Sequence, residues 1–489
     1  MKYFRQLIAL LTTICWVSCS HQVESPTLCD EWPPIFPDYI GVTIPAQIAP
    51  MNFDIAQGIE YQRIDVIIKG GKNGELHVNA KHVEIPIKQW HKLLLANLND
   101  SLQITVSIEQ ADGWKQYKPF AMYVSPHPID YGIVYRRIPP GYELYNKMGI
   151  YERNLSNFEE RALFENTLTP GMCVNCHSFN QTDPSNLSMH IRGEAGGTLM
   201  RYNKVDEVLD TKTATTLSAC VYPYWHPSGK YIAYSTNETA QAFHSTNQKR
   251  IEVFDVKSDV LVYHPETHEL ITSPLLQKEE CFETFPVFSP DGKTLYFCST
   301  KGHKVPQGYK EMKYNLCSIP FMEEEGTFGT TIDTLISVEG MQKSILFPRP
   351  SYDGKYLMYT QADYGTFPIW HKEADLWLMD LSNGTTRPID EVNSNDTESF
   401  HNWSSNSHWF LFSSRRDDGL YTRIYLASIN EKGEIGKPFL LPQKHPWKYY
   451  DEMHYSYNVP DFVNQPVDLH PHKLERKLVS KKRTRVTMR

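Results

Sequence analysis

The chain has 489 residues, a net charge of −8, 40% hydrophobic and 12% aromatic residues, which is too apolar for a disordered chain and long enough for two to four domains. The charge is uneven: residues 470–489 carry +7 and the first eighteen +2, so the stretch between them stands at −17, which speaks against a nucleic-acid partner. No apolar run approaches the ~18 residues of a spanning helix.

The N-terminus has a short basic region, Lys2 and Arg5, then an apolar stretch from Leu7 to Ile14 and Val17-Ser18-Cys19. Small residues before a cysteine resemble a bacterial lipoprotein signal, although Trp16 departs from the usual Leu. That resemblance implies cleavage after residue 18, lipidation of Cys19 and attachment to the cell envelope by acyl chains rather than a helix. The anchor would face the periplasm or the outer membrane. Residues 19–34, with Pro26, Pro33 and Pro34, read as a linker.

Residues 35–135 read as strands. Ile64–Ile68, Glu75–Asn79, Leu102–Ile108 and Ala121–Val124 alternate with period 2, and Gly70-Gly71 and Asp112-Gly113 mark turns between them. That spacing predicts an immunoglobulin-like β-sandwich. Pro139-Pro140-Gly141 then breaks the chain, and Phe158–Phe164 reads as a short helix.

Residues 136–187 carry the most specific motif. Cys173-Val174-Asn175-Cys176-His177 has the C-x-x-C-H spacing of a c-type haem attachment site. Two thiols three apart can each add to a haem vinyl group, and the adjacent imidazole then falls under the iron. The expectation is one covalent haem c, with Cys173 and Cys176 as thioether anchors and His177 as the proximal metal ligand. His190 is the expected second axial ligand, with Met172, Met189, Met200, His226 and His244 as alternatives. Arg192 would pair with a haem propionate. A redox disulfide, a zinc site and an inert pair remain open as other uses of the same cysteines.

Past residue 187 an internal repeat appears. Tyr222-Pro223-Tyr224-Trp225-His226-Pro227-Ser228-Gly229-Lys230, Phe285-Pro286-Val287-Phe288-Ser289-Pro290-Asp291-Gly292-Lys293 and Phe347-Pro348-Arg349-Pro350-Ser351-Tyr352-Asp353-Gly354-Lys355 align, with a degenerate copy from Phe400. Each is followed by an apolar strand and then a second one. Such a unit cannot bury both faces alone, so the copies must stack. The F-S-P-D-G-K pattern resembles the TolB-like, WD-repeat-like β-propeller family, which implies a propeller over residues 188–465, about six blades with four visible. Strands within residues 197–209 and 452–463 would supply the remainder. Residues 466–489 read as a basic disordered tail, and Arg415-Arg416-Asp417-Asp418 as a solvated polar loop.

The expected fold is therefore mostly β: an immunoglobulin-like sandwich, a short haem segment and a propeller. The expected function is electron transfer or haem-dependent sensing in the envelope, the propeller serving as platform for envelope proteins or a redox partner. The alternative is a non-catalytic scaffold or a ligand-binding surface lipoprotein. No G-x-S-x-G, phosphate loop or H-E-x-x-H is present, so no enzymatic role is assigned.

Overall fold

The computed structural model describes residues 22–140, 147–244 and 249–489, the side chain of Asn175 aside. Cys19 and the signal-like segment lie outside the described residues. The described chain is mostly β, and none of its helices is long and apolar enough to cross a membrane.

The N-terminal part is built on one seven-stranded sheet rather than on a pair of sheets. Its long central strands, Arg63–Gly70 and Asp100–Gln110, run antiparallel, with Val66 opposite Val106. Ile64, Val66 and Ile68, at alternate positions of the first, are fully buried on one face, as period 2 demands. The buried face shares one core with the helix Ile87–Ala96, through Trp90, Leu93 and Leu94, and with Trp409, Leu411, Ile424 and Leu426 from far along the chain. The expected second layer of the sandwich is thus supplied by other elements. The predicted linker also joins in, since Thr27–Leu28 pairs with Lys115–Gln116.

Six further antiparallel sheets follow. The first comprises Gly132–Ile138, Gly149–Asn154 and Glu160–Glu165, with Ser456–Val463 on the free side of Gly132–Ile138. The second opens with Cys173–Asn180, the third with Cys220–Trp225, the fourth with Cys281–Phe288, the fifth with Ser344–Pro350 and the sixth with Glu398–Trp403. These five opening strands and Ser456–Val463 touch one another in cyclic order, sixth to first and first to second included. Between the first two strands of the fourth and fifth sheets, Gly292 and Gly354 adopt φ of 74° and 72°. Ser289 Oγ donates to Asp291 Oδ1 at 2.5 Å and Ser351 Oγ to Asp353 Oδ1 at 2.7 Å, so these carboxylates are turn residues.

Several expectations change here. Residues 136–187 are no separate insertion: they complete the first sheet and open the second. Glu160–Glu165 is a strand rather than part of a helix: it pairs with Gly149–Asn154, and a register shift at Leu163 lets both Leu163 and Phe164 be buried. Gly197–Tyr202 and Val205–Asp210 are outer strands of the second sheet rather than a further unit.

The basic tail is ordered. Pro471–Val479 is a helix that buries Leu474 and Leu478, Thr484–Arg485 pairs with the edge of the second sheet, and Thr487–Met488 with that of the third. Apolar positions four apart outweigh the surrounding charge. Leu478→Ala is accordingly expected to cost about 2–4 kcal/mol, and removal of residues 470–489 more. Urea unfolding checks both; a tail that contributed nothing would leave the midpoint unchanged.

Candidate functional site

Each opening strand carries a β-bulge at the same place. The register slips between Val174 and His177, Val221 and Tyr224, Thr284 and Val287, Leu346 and Arg349, and Ser399 and Asn402. Ser456–Val463 slips equivalently between Asn458 and Asp461. The first extra residue takes a left-handed conformation at Tyr222, Phe285, Phe347, Phe400 and Val459, with φ between 49° and 53°. For bulky side chains this is a strained backbone that only the surrounding structure can hold. The second is Pro223, Pro286, Pro348 or Pro460 in four strands. A bulged residue has no ladder partner, so the missing N–H of proline costs nothing there. The Cys-x-x-Cys-His segment thus follows the repeat: Cys176 stands where four other strands place proline, and His177 where they place Tyr224, Val287, Arg349 or Asp461.

The bulges organise the axis of the ring in layers. Tyr222, Phe285, Phe347 and Phe400 pack edge-on or tilted one against the next, with centroids 4.6, 4.2 and 5.0 Å apart. On one side of this aromatic layer lies a polar pocket of about 40 Å³ lined by His177, Tyr224, Arg349, His401, Asn402 and Asp461. Asn402 Nδ2 donates to Asp461 Oδ1 at 2.7 Å. Burial pushes the Asp461 carboxyl up to about 7 against the pull of Arg349. Burial, reinforced by Arg349, pushes the His401 imidazole down to about 3, and His401 Nε2 donates to Met358 O at 3.0 Å.

On the other side is a mouth of about 270 Å³. Arg136, Arg192 and Arg415 line it, together with Cys173, Tyr222 and Trp370, and no Asp or Glu is among its lining residues within the described part of the chain. Arg136 Nη2 donates to Met148 Sδ and, at 3.3 Å, to Cys173 Sγ, while its Nε is buried without a partner. Arg415, expected in a solvated loop, is 2% exposed. Its guanidinium lies 3.1 Å from the centre of the Trp370 ring. Among the described residues its side chain makes no hydrogen bond or ion pair. The acids nearest in charge, Asp396 and Asp418, already face Lys372 and Arg423. Burial pushes Arg415 down to about 9, which still leaves it charged at neutral pH.

The sequence-derived haem ligands are not brought together. His177 is buried, its Nε2 donates to Val134 O at 3.4 Å, and its Nδ1 is buried without a partner. Desolvation pushes its imidazole down to about 4. It pairs across the ladder with Met189, so the next residue, His190, points to the opposite face of the sheet, where it meets Thr198 Oγ1 at 3.0 Å. One iron cannot sit between them. The 40 Å³ beside His177 holds about one water, against the roughly 300–1,000 Å³ of organic-ligand pockets. Cys173 and Arg192 do line a common cavity, the mouth, but Cys176 and His177 do not. The described cysteines are all free thiols. Arg136 and Arg415 were invisible to motif reasoning, since nothing local marks them.

No family model and no curated protein matches the chain. Among solved structures it is similar to a prolyl endopeptidase, at 12% identity and a TM-score of 0.33, over 63% of this chain and 42% of that one. It is also similar to a putative dipeptidyl aminopeptidase IV from Bacteroides ovatus, at 11% identity and 0.29, over 70% and 58%. A DUF4784 family protein from Bacteroides caccae follows at 7% and 0.28, over 73% and 95%. The chain thus spans well under two thirds of the two peptidases, and likeness at this level says nothing of what it binds.

The polar pocket makes a paired pH test. The unfolded chain takes up a proton near pH 6.5 that folded His401 refuses, so its contribution to stability falls with acidification at about 1.4 kcal/mol per pH unit. Asp461 has the opposite sign: folded, it keeps its proton up to about 7, so its contribution falls as pH rises from about 4 to 7. Relative to wild type, His401→Gln should gain about 2 kcal/mol between pH 6.5 and 5, while Asp461→Asn gains with rising pH. Urea midpoints of the three proteins at pH 5, 6 and 7 check both slopes.

Proposed function

We propose that this chain is a lipid-anchored envelope protein, held by Cys19, whose six-bladed TolB-like propeller binds an anionic ligand with an apolar body at the arginine-lined mouth. One observation carries the reading: three guanidiniums, that of Arg415 buried, meet at a single cavity and have no carboxylate partner among the described residues. An uncompensated buried cation is costly, and a carboxylate, sulfonate or phosphate entering the mouth would supply the missing charge through charge-assisted hydrogen bonds. Trp370, Tyr222, Ile251 and Phe367 give such a ligand an apolar wall. Binding, not catalysis, is the proposed activity, because no nucleophile–base pair is found among the described residues that line the mouth.

Anilinonaphthalene sulfonate, an apolar anion, is the first probe. Saturable binding by the wild-type protein is expected, weakened about tenfold or more by Arg415→Met and by Arg136→Met, since each removes a charged contact worth about 1.5–3 kcal/mol. Binding unaffected by both substitutions would place the probe elsewhere and end the proposal.

A second reading rests on the Cys173 thiol, which opens into this same mouth. Haem is a flat apolar body with two carboxylates, so the arginines and the thiol match part of a covalent haem c site; Cys176 and His177 would have to leave the strand to complete it. A pyridine haemochrome assay on protein made with a cytochrome c maturation system separates the two. Colourless protein is expected. One c-type haem per chain would replace the non-covalent ligand with haem and restore the electron-transfer reading.

A further inference from the structure

A second site lies where the N-terminal sheet meets the sixth sheet. His127 follows the strand Phe120–Ser125. His408 sits in the turn before Trp409–Ser414, and Glu431 in the turn after Arg423–Ser428. The two imidazoles stack with centroids 3.6 Å apart and planes 16° from parallel. Glu431 Oε1 is 3.0 Å from His127 Nε2. One ligand atom from each of the three residues lies within 4.8 Å of the others.

The arrangement is held from outside. His408 Nδ1 donates to Ile429 O at 3.2 Å, which fixes the tautomer and turns the lone pair of Nε2 outward. Trp409 Nε1 donates to His127 O at 3.4 Å, Ser405 N to Asp130 Oδ2 at 2.8 Å and Asn406 Nδ2 to Pro128 O at 2.7 Å. The His408 turn and the His127 loop are therefore clamped together before any ion arrives. A groove of about 730 Å³ opens beside them, with Asp100, Glu431 and Glu434 among its lining residues. These carboxylates favour a cation.

We infer that His127, His408 and Glu431 bind one divalent transition-metal ion, with Zn²⁺ the fitting choice. Two neutral imidazoles and a carboxylate suit zinc at distances of about 2.0–2.2 Å, and imidazole-rich sets are poor for calcium or magnesium. Three protein donors leave the fourth tetrahedral position to the groove, where water or an incoming donor group completes the shell. Because His127 belongs to one unit and His408 and Glu431 to the other, the ion ties the N-terminal sheet to the ring.

The test uses the full mature chain, stripped of metal with a chelator and titrated with ZnCl₂ against a fluorescent zinc indicator. The expected result is one Zn²⁺ per chain and a raised melting temperature. His408→Gln and His127→Gln should each weaken that binding by about 100-fold, comparable to or beyond the loss from an outer-shell partner, and abolish the thermal shift. Cys173→Ser should leave both unchanged, which separates this site from zinc taken by free thiols. X-ray absorption on the zinc-loaded protein should show two imidazoles in a nitrogen and oxygen shell. No stoichiometric zinc, zinc binding indifferent to both histidine substitutions, or a sulfur-containing shell would overturn the inference.

Discussion

Everything on the axis of this molecule depends on one strand pairing. Ser456–Val463, near the end of the chain, lies antiparallel to Gly132–Ile138, which comes before the first repeat. Only then is the cycle of inner strands complete, because Ser456–Val463 is the element that touches both the sixth and the second sheet. The pairing closes a loop of some three hundred residues. Its entropy cost grows only logarithmically with that length, but the contact is strongly non-local, a topology that folds slowly. The same strand delivers Asp461 to the polar pocket and Asn458 to the mouth, and its partner delivers Arg136. Closure and site are one event.

The bulge explains why a ring of strands yields a layered axis. A regular strand points alternate residues to its two faces, here the neighbouring sheets. An extra residue breaks that alternation and lets a side chain turn toward the centre. Repeated around the ring, the first bulged position builds the aromatic layer and the residue after the second builds the polar one. The left-handed backbone at Phe285 and Phe347 is tolerable because each ring packs against the next, so the strain is spread over neighbours that hold one another.

Four copies of the repeat were legible because aromatic-proline pairs and Gly turns leave a fixed pattern. The second sheet was not. Its opening hairpin turns on Gln181 and Thr182, with φ of 47° and 67°, where the third, fourth and fifth sheets use Gly229, Gly292 and Gly354. Its bulge reads Asn175-Cys176 instead of an aromatic and a proline. Stripped of both signatures, the segment displayed only its Cys-x-x-Cys-His spacing, which drew attention to chemistry rather than to the repeat. The first sheet was hidden for a different reason: its inner strand is supplied from the opposite end of the chain. In the tail, Leu474 and Leu478 were masked by surrounding lysines and arginines. Arg192 was noticed through its nearness to the motif, and it does line the mouth. Arg136 and Arg415, separated by 279 positions, carry no shared local pattern, so only the tertiary structure brings them together.

The mouth also bears on how the empty protein holds itself. The Trp370 ring against the Arg415 guanidinium compensates its charge less well than water would, and a guanidinium is among the more weakly hydrated cations, which makes it the basic side chain best able to survive there. Lysine in its place would face a larger desolvation cost and shed its proton more readily. The buried Arg415 charge therefore carries an electrostatic cost that the proposed anion would remove on entry. Part of the affinity then comes from relieving a penalty already present rather than from new contact area. Because that pair would form out of bulk solvent, salt screens it less than a surface pair. The chain is negative on balance between the signal-like segment and the basic C-terminal stretch, so the mouth stands as a positive focus within an acidic body.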